Sequence, residues 1–313
     1  MSLQRQLVLA AVQFAVKPHD PEANVAKACA LVRSLPRGSA TLILLPELFA
    51  AQYFPQDGGE PAHFRLAVPS PHTEPQHPFW QQMLQLADEV SAALAVSFFE
   101  RAGLAHFNSL ALIDPHAPPG QSPFLAPVYR KLHIPHSPGY HEKFYFSPGD
   151  TPPTVYTLAA HRVRVGVGIC WDQWFPELAR CLALQGAEVL LYPTAIGSEP
   201  QDPQLDSCGH WRRTQQGHAA ANMVPLVAAN RVGVECASDG SSKIRFYGSS
   251  FITDNTGAIV AEAGRDEPDK VIVGPVMELE QYREARLAWG IFRDRRPDMY
   301  GAIRTLDGST TTR

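Results

Sequence analysis

Apolar runs typical of buried strands alternate with amphipathic helical segments along most of the 313-residue chain. The run TLILLPE (41–47) has the composition of a buried strand, whereas PEANVAKACALVRSL (21–35) repeats apolar residues at helical spacing. Such alternation predicts layered α/β packing. The strands predicted at 93–101 and 106–114 have no helix between them, which argues against a purely parallel sheet. We therefore expect an α/β fold with two mixed sheets stacked face to face and helices outside.

The same pattern places the remaining elements in one continuous domain, residues 1–313. Helices are predicted at 21–35, 77–92, 174–186, 208–223 and 279–289. Strands are predicted at 7–15, 41–47, 93–101, 106–114, 128–134, 163–170, 187–196, 224–233, 245–254, 258–263 and 270–276. From about residue 290 the chain is expected to be extended and to dock on a partner subunit.

Composition and charge restrict the class of partner. The formal net charge is −4 and no basic block occurs, so nucleic acid is not an expected partner. No apolar run approaches the roughly 20 residues of a membrane-spanning helix, and LVLAAVQFAV (7–16) is interpreted as a first strand rather than a signal peptide. The five cysteines are widely spaced without a CxxC pair, which predicts neither zinc nor disulfides and favours a reducing cytoplasm.

One of these cysteines ends an apolar strand, in VRVGVGICWDQWFPELAR (163–180). Gly166 and Gly168 precede it and permit close approach of the backbone. A helix is predicted just beyond, with Pro176 in its first turn. Cys170 is thus expected at a strand-to-helix elbow.

Two other predicted strands end in reactive side chains, Glu47 and Lys131. Ligands of α/β proteins gather beyond the carboxyl ends of strands, where these groups could meet Cys170. A carboxylate can accept the thiol proton, and an ammonium can lower the pKa of the thiol and stabilise an oxyanion. Each residue also has a structural interpretation: an inert buried cysteine, a helix-capping glutamate and a solvated lysine.

Longer strings around the three residues resemble the nitrilase superfamily of carbon–nitrogen hydrolases. The matching text is LPELF (45–49), YRKLHIP (129–135), GYHEKFYFSPGD (139–150), GICWDQWFPE (168–177), YPTAIGSEP (192–200) and WGIFRDRRPDMY (289–300). The resemblance implies a four-layer α-β-β-α sandwich and an enzyme that needs neither a metal nor an organic cofactor. It also implies roles for Glu47 as general base, Lys131 as oxyanion stabiliser, Cys170 as nucleophile and Glu142 as a second glutamate that orients the substrate and Lys131.

Within the superfamily, the strings CWDQWFPELAR (170–180) and YPTAIGSEPQDPQLDS (192–207) are most similar to amidohydrolases of N-carbamoylputrescine. That resemblance implies hydrolysis of this compound to putrescine, carbon dioxide and ammonia, a step of polyamine biosynthesis. The substrate has a ureido end and an ammonium end, and by resemblance Glu199 is the ammonium partner, with Asp172 and Asp202 as reserves. Further substrate contacts are expected from Asn108, Tyr53 and Trp171, with the Trp171 backbone N–H as a second oxyanion donor.

Two alternatives remain open from the sequence. An N-carbamoyl-β-alanine or N-carbamoyl-D-amino acid substrate would end in a carboxylate, which Arg212, Arg213 or Arg231 could bind. A catalytically inactive scaffold is the other alternative, although Glu47, Lys131 and Cys170 are all present. The resemblance also implies a homo-oligomer, with contacts from the helix at 177–186 and the segment after Gly290.

Overall fold

Two β-sheets pack face to face, and α-helices cover the outer face of each. The computed structural model describes residues 5–309. Between the sheets lies an apolar layer to which both contribute, for example Leu9 and Leu42 from one sheet and Val165 and Leu191 from the other. The expected four-layer α-β-β-α sandwich of two mixed sheets is confirmed.

The predicted helices and strands occur in the expected order, and the structure adds one short helix and several further strands. The helices are α1 (Pro21–Arg33), α2 (Pro78–Val90), α3 (Glu142–Tyr145), α4 (Pro176–Leu184), α5 (Cys208–Asn222) and α6 (Leu279–Trp289). The strands are β1 (Gln6–Leu7), β2 (Leu9–Gln13), β3 (Leu42–Leu44), β4 (Val68–Pro69), β5 (Ala93–Ala102), β6 (Ala105–Ile113), β7 (Tyr129–Arg130), β8 (Val155–Leu158), β9 (Val163–Val167), β10 (Val189–Thr194), β11 (Leu226–Asn230), β12 (Val232–Cys236), β13 (Lys243–Tyr247), β14 (Phe251–Thr253), β15 (Ile259–Glu262), β16 (Lys270–Val273) and β17 (Met277–Glu278).

The first sheet has the order β16-β2-β3-β5-β6-β7, with β4 beside β5, and the second has the order β15-β14-β11-β10-β9-β8. Both are mixed. In the first, β2, β3 and β5 are parallel while β6 returns antiparallel to β5. In the second, β9, β10 and β11 are parallel and the outer strands run antiparallel. The parallel strands at each centre direct their carboxyl ends to the same edge of their sheet.

The outer helices form where the sequence supplies both a cap and an apolar face. Asp20 accepts a hydrogen bond from the Ala23 N–H at 3.0 Å, and Pro21 occupies the first turn of α1. The apolar face of α1, formed by Val25, Ala28, Cys29 and Val32, is buried on the first sheet, together with one face of α2. Helices α4 and α5 cover the second sheet through side chains such as Leu178 and Trp211.

Four sequence-based element predictions were wrong in detail. The segment 128–134 is a strand only at Tyr129–Arg130, because the backbone N–H of His133 donates to Asp172 instead of to a neighbouring strand. The segments 224–233 and 245–254 are each divided between two sheets, because β12 and β13 pair with each other in a separate two-stranded sheet while β11 and β14 belong to the second sheet. In 245–254 the break falls at Gly248 and Ser249, which have positive φ values of 52° and 56°. Beyond Gly290 the chain makes short 3-10 turns at Pro297–Met299 and Gly301–Arg304 rather than remaining extended.

Within the part of the chain described, no helix is both long and apolar enough to traverse a bilayer.

Candidate active site

Three chain segments that leave the sheets carry the residues singled out from the sequence. Glu47 lies three residues beyond β3, Cys170 three residues beyond β9, and Lys131 directly follows β7. Glu142 is the first residue of α3. Glu47, Lys131 and Glu142 are completely buried, and Cys170 is 6% exposed. The sheet geometry therefore brings together the four groups that the sequence predicts as catalytic.

Lys131 sits between two carboxylates. Its ammonium Nζ donates to Glu47 Oε1 at 2.9 Å and to Glu142 Oε2 at 2.7 Å. Burial acts to lower the pKa of Lys131, but the charges of Glu142 and Glu47 outweigh it and the pKa is raised. Lys131 therefore remains an ammonium in its buried position and can stabilise negative charge there.

The two carboxylate oxygens of Glu47 differ in their hydrogen bonding. Oε1 accepts from Lys131 and from Asn108 Nδ2, the latter at 2.7 Å. Oε2 is buried and has no hydrogen-bond partner among the described residues. A buried carboxylate oxygen without a donor is an unfavourable arrangement unless it serves a proton transfer or a ligand. The position of Asn108 differs from the expected substrate contact, because its amide is buried against Glu47 instead of lining the cavity described below.

The backbone at the nucleophile position is unusual. Cys170 has a φ of +43°, a conformation that side chains other than glycine seldom adopt. Its Sγ lies 3.8 Å from the carbonyl oxygen of Ala195, which follows β10. Two residues earlier, a Cβ at Gly168 would lie 2.6 Å from Tyr192 Cε1, so this position requires the close approach that the sequence suggested. Cys170 begins a 3-10 turn, Cys170–Trp174, which separates it from α4.

Burial and charge keep the Cys170 thiol protonated at rest. Desolvation raises its pKa, Glu47 and Glu142 raise it further, and Lys131 opposes them without reversing the direction. Lys131 does act to lower the pKa of the thiol, as the sequence suggested, but burial and the two glutamates outweigh it. A neutral thiol becomes nucleophilic only if a neighbouring base accepts its proton during attack, and Glu47 Oε2 is free to do so.

Glu142 is held by its own pair of donors. Tyr53 Oη donates to Glu142 Oε1 at 2.6 Å while Lys131 occupies Oε2. Burial raises the pKa of Glu142, an effect that the Lys131 charge opposes. Tyr53 is itself 1% exposed and lines the cavity. Glu142 is thus fixed by a phenol and an ammonium, as a residue that orients Lys131 would be.

Asp172 links the 3-10 turn that contains Cys170 to the chain segment that contains Lys131. Its two oxygens accept from Ile169 N at 2.9 Å, Tyr129 Oη at 2.6 Å, His133 N at 3.0 Å and His133 Nδ1 at 2.7 Å. Asp172 is completely buried and fully engaged by these donors. Its sequence-based assignment as a reserve ammonium ligand is therefore wrong. The aspartate instead fixes Cys170 relative to Lys131.

Arg231 binds the backbone of the segment that contains Glu47. Its guanidinium donates to the carbonyl oxygens of Glu47 at 2.8 Å and Leu48 at 3.0 Å, and to Glu235 Oε1 at 2.8 Å. The arginine is completely buried, so it cannot bind a substrate carboxylate. Arg212 pairs with Glu262 on the surface, and neither Arg212 nor Arg213 lines the cavity. None of the three arginines considered for a carboxylate-ended substrate reaches the site.

A cavity of about 420 Å³ opens from Cys170 to the protein surface. Its lining residues are Tyr53, Pro135, Ser137, Tyr140, Glu142, Cys170, Trp171, Gln173, Trp174, Ala195, Ile196, Glu199, Gln201, Leu205, Ser207 and His210. Of the predicted substrate residues, Tyr53, Trp171 and Glu199 line it. Among the residues described, neither lysine nor arginine contributes to this wall. No grouping of three or more histidine, cysteine or acidic side chains within residues 5–309 is suited to a metal ion.

Glu199 is the cavity carboxylate that lies away from the Lys131 site. Gln201 Nε2 donates to its Oε2 at 3.1 Å. Partial burial raises the pKa of Glu199, the Gln201 hydrogen bond opposes this, and nearby Asp202 adds to it. The group is a half-buried carboxylate in a wall that also includes the aromatic rings of Trp171 and Tyr140. Such a group suits an ammonium ion.

Three contacts were not predicted from the sequence: Tyr140 in the cavity wall, Asn108 against Glu47, and Arg231 against the backbone of Glu47. Tyr140 lies in the string GYHEKF, which was interpreted only through Glu142. Asn108 and Glu47 are 61 residues apart, so no local pattern connects them. The only available signal was the retention of polar residues inside apolar strands, as in HFNSLAL (106–112).

These features agree with the comparisons to known proteins. The model of the carbon–nitrogen hydrolase family matches residues 8–286, most of the chain. The chain belongs to this family, whose chemistry is the hydrolysis of carbon–nitrogen bonds. A solved carbon–nitrogen hydrolase from Helicobacter pylori G27 superimposes with a TM-score of 0.83 at 32% identity, covering 96% of this chain and 99% of that one.

Two relatives of differing substrate are similar over almost their whole length. An N-carbamoylputrescine amidase from Arabidopsis thaliana is 48% identical, covering 98% of each chain. A citrullinase from Francisella tularensis is 44% identical, covering 94% of this chain and 97% of its own. Both names describe enzymes of ureido compounds, which differ at the end remote from the ureido group.

Proposed function

We propose that the chain hydrolyses N-carbamoylputrescine to putrescine, carbon dioxide and ammonia, a step of polyamine biosynthesis. The observation that carries this proposal is the charge of the cavity: it joins the Cys170 thiol to the Glu199 carboxylate, and no lysine or arginine of the described chain lines it. A substrate with a neutral ureido group at one end and an ammonium at the other matches both ends. The amidase from Arabidopsis thaliana supports the same assignment.

The proposed reaction begins with attack of Cys170 Sγ on the ureido carbonyl carbon as the thiol proton passes to Glu47 Oε2. Lys131 and the Trp171 backbone N–H stabilise the oxyanion of the tetrahedral intermediate. Collapse breaks the bond to the terminal nitrogen, which takes the proton from Glu47 and leaves as ammonia. A carbamoyl thioester remains on Cys170.

The second half of the reaction uses the same base. Glu47 accepts a proton from water as the water oxygen attacks the thioester carbon, and the proton then returns to the departing sulfur. The released N-alkyl carbamate decays to carbon dioxide and putrescine. One ammonia is formed per turnover, so atoms balance with one water consumed. Glu142 is proposed to hold Lys131 between the two carboxylates throughout.

Citrulline is the second candidate, and the citrullinase relative favours considering it. It is N-carbamoylputrescine with a carboxylate added at the carbon that bears the ammonium. Of the lining residues, only His210 could carry a positive charge to offset that carboxylate. Because Glu199 would repel it, we place citrulline below N-carbamoylputrescine. N-carbamoyl-β-alanine and N-carbamoyl-D-amino acids lack the ammonium and rank lower still.

A substrate panel scored by ammonia release tests the proposal. It contains N-carbamoylputrescine, citrulline, N-carbamoyl-β-alanine and an N-carbamoyl-D-amino acid at equal concentration. We expect kcat/KM to be highest for N-carbamoylputrescine. A higher value for citrulline would reverse the assignment, and no release from any member would favour the inactive scaffold.

We also propose a cytoplasmic homo-oligomer. All five cysteines are free, in keeping with a reducing compartment. Near the C-terminus, apolar side chains are exposed on α6 and the turns that follow, among them Leu287 (64%), Trp289 (73%) and Ile303 (66%). A second copy of this chain would cover them. Light scattering of the purified protein checks this, and a monomeric mass at micromolar concentration would rule it out.

A further inference from the structure

A four-residue turn, Ser137–Tyr140, forms part of the cavity rim. Tyr140 N donates to Ser137 O at 2.8 Å, and Ser137 N donates to Tyr140 O at 3.2 Å. Pro138 takes the second position and Gly139, with a φ of +78°, takes the third. Proline followed by a residue of positive φ is the pattern of a type II turn. The sequence Ser-Pro-Gly-Tyr therefore gives this rim a fixed shape.

The turn contacts the Glu199 segment on both sides of the glutamate. Tyr140 Oη donates to the carbonyl oxygen of Ser198 at 3.1 Å. Gly139 approaches the residue that follows Glu199 so closely that a Cβ on it would lie 2.7 Å from Pro200 Cγ. The backbone on either side of Glu199 is thus positioned by adjacent residues of one rigid turn.

The ring of Tyr140 is also connected to Lys131, through Tyr53 and Glu142. It packs edge to face on Tyr53, with ring centroids 5.7 Å apart, and Tyr53 Oη donates to Glu142. Tyr140 is 9% exposed and belongs to a small buried cluster that includes Phe246. A continuous set of contacts therefore runs from Lys131 through Glu142, Tyr53 and Tyr140 to the Glu199 segment.

We propose that Gly139 and Tyr140 are positioning residues that set the separation of Glu199 from Cys170, and thereby select ureido amines by the length of the chain between the ureido group and the ammonium. This rests on the proposed function. When nucleophile and counter-ion are both fixed, only one chain length places the carbonyl carbon at the thiol while the ammonium contacts the carboxylate. A shorter or longer chain forfeits one of these contacts.

The Glu199 segment retains other supports when the turn is altered. Ser198 N donates to Arg245 O at 3.0 Å, and Arg245 N donates to Ser198 Oγ at 2.9 Å. Tyr140→Phe removes the hydroxyl while keeping the ring in its cluster, so the variant should fold. Gly139→Ala places a methyl group against Pro200 and strains the turn. Gly103→Ala is its matched control, because Gly103 has a φ of +64° but no atom within 4 Å of the position that the added methyl group would take.

The experiment measures kcat and KM for ureido derivatives of three-, four- and five-carbon diamines and for N-butylurea, which lacks the ammonium. In the native enzyme the four-carbon compound should be preferred. Tyr140→Phe should raise its KM roughly threefold to tenfold with little change in kcat. It should also reduce the preference over the other lengths and affect N-butylurea much less. Gly139→Ala should exceed these effects, and Gly103→Ala should show none of them.

The outcomes separate the two proposals. If the native enzyme does not prefer the four-carbon ureido amine to N-butylurea, ammonium recognition is absent and the proposed function fails. If that preference exists but both turn variants keep the native chain-length profile, only the present inference fails. An equal loss on N-butylurea would also overturn it, since the turn would then act on the Lys131 end.

Discussion

Asn108 donates its side-chain amide to the same oxygen of Glu47 that Lys131 contacts, at 2.7 Å, while Oε2 of that carboxylate has no partner within residues 5–309. The arrangement restrains the carboxylate from one side only. The free oxygen is the atom to which a proton can be transferred. The sequence identified Glu47 as the base but not the amide that orients it.

Replacing Glu47 with glutamine should nearly abolish turnover. The amide keeps an oxygen for Lys131 but cannot accept a proton from a thiol whose pKa burial has raised. Loss of a general base typically lowers kcat by about a hundredfold to ten-thousandfold. Ammonia release measures the effect, with Cys170→Ala as the zero-activity reference and exposed Glu74→Gln as the charge-matched control. Turnover within a few-fold of native would remove Glu47 from the proposed mechanism.

Replacing Glu199 with glutamine should raise KM for the ammonium substrate and lower kcat/KM by about tenfold. The carboxylate is the charged partner, and its loss leaves the ammonium with neutral groups. Exposed Asp88→Asn is the charge-matched control, since Asp88 lies on α2 and does not line the cavity. An unchanged KM in Glu199→Gln would assign the ammonium to another part of the wall.

The same carboxylate predicts a pH dependence of binding. Its pKa is raised by partial burial, so on acidification Glu199 becomes neutral at a higher pH than an ordinary glutamate. KM for N-carbamoylputrescine should therefore rise as pH falls towards that raised pKa, and remain low above it. In Glu199→Gln this component of the pH profile should vanish. A native profile identical to that of the variant would contradict the assignment.

Asp172→Asn should destabilise the fold and reduce turnover together. The substitution replaces one acceptor oxygen by an amide that faces donors from Tyr129, His133 and Ile169. A buried polar mismatch of this kind costs about 1–3 kcal/mol. Urea unfolding monitored by circular dichroism measures the loss, and the same sample gives kcat. Native stability in this variant would show that Asp172 does not connect the two segments energetically.

The sequence predicted the fold well because periodicity is a local property. The strand at Leu42–Leu44, the buried face of α1 and the glycines before Cys170 all follow from neighbouring residues. Predictions failed where a contact distant in sequence decided the outcome. The strand after Tyr129 stops early because Asp172 binds His133, and positive φ values at 248 and 249 divide another predicted strand.

In the candidate site, too, the identity of the residues could be predicted from the sequence, but the effects of contacts distant in sequence could not. Resemblance located Glu47, Lys131, Cys170 and Glu142, and the structure places their side chains in one buried group. The pKa of the thiol could not be anticipated, because its sign depends on how burial and three neighbouring charges balance. Arg231 was misassigned for a related reason: only the fold reveals that its guanidinium is already fully enclosed.

The contact between Gly168 and the ring of Tyr192 has a consequence for how this scaffold can diversify. Any side chain at residue 168 would push on β10, whose continuation carries Ala195 and, further on, Glu199. Residue 168 therefore has almost no room for a side chain. Directed evolution toward other ureido compounds should therefore accumulate its changes in the rim turns, while residues 166–170 remain as they are in surviving variants.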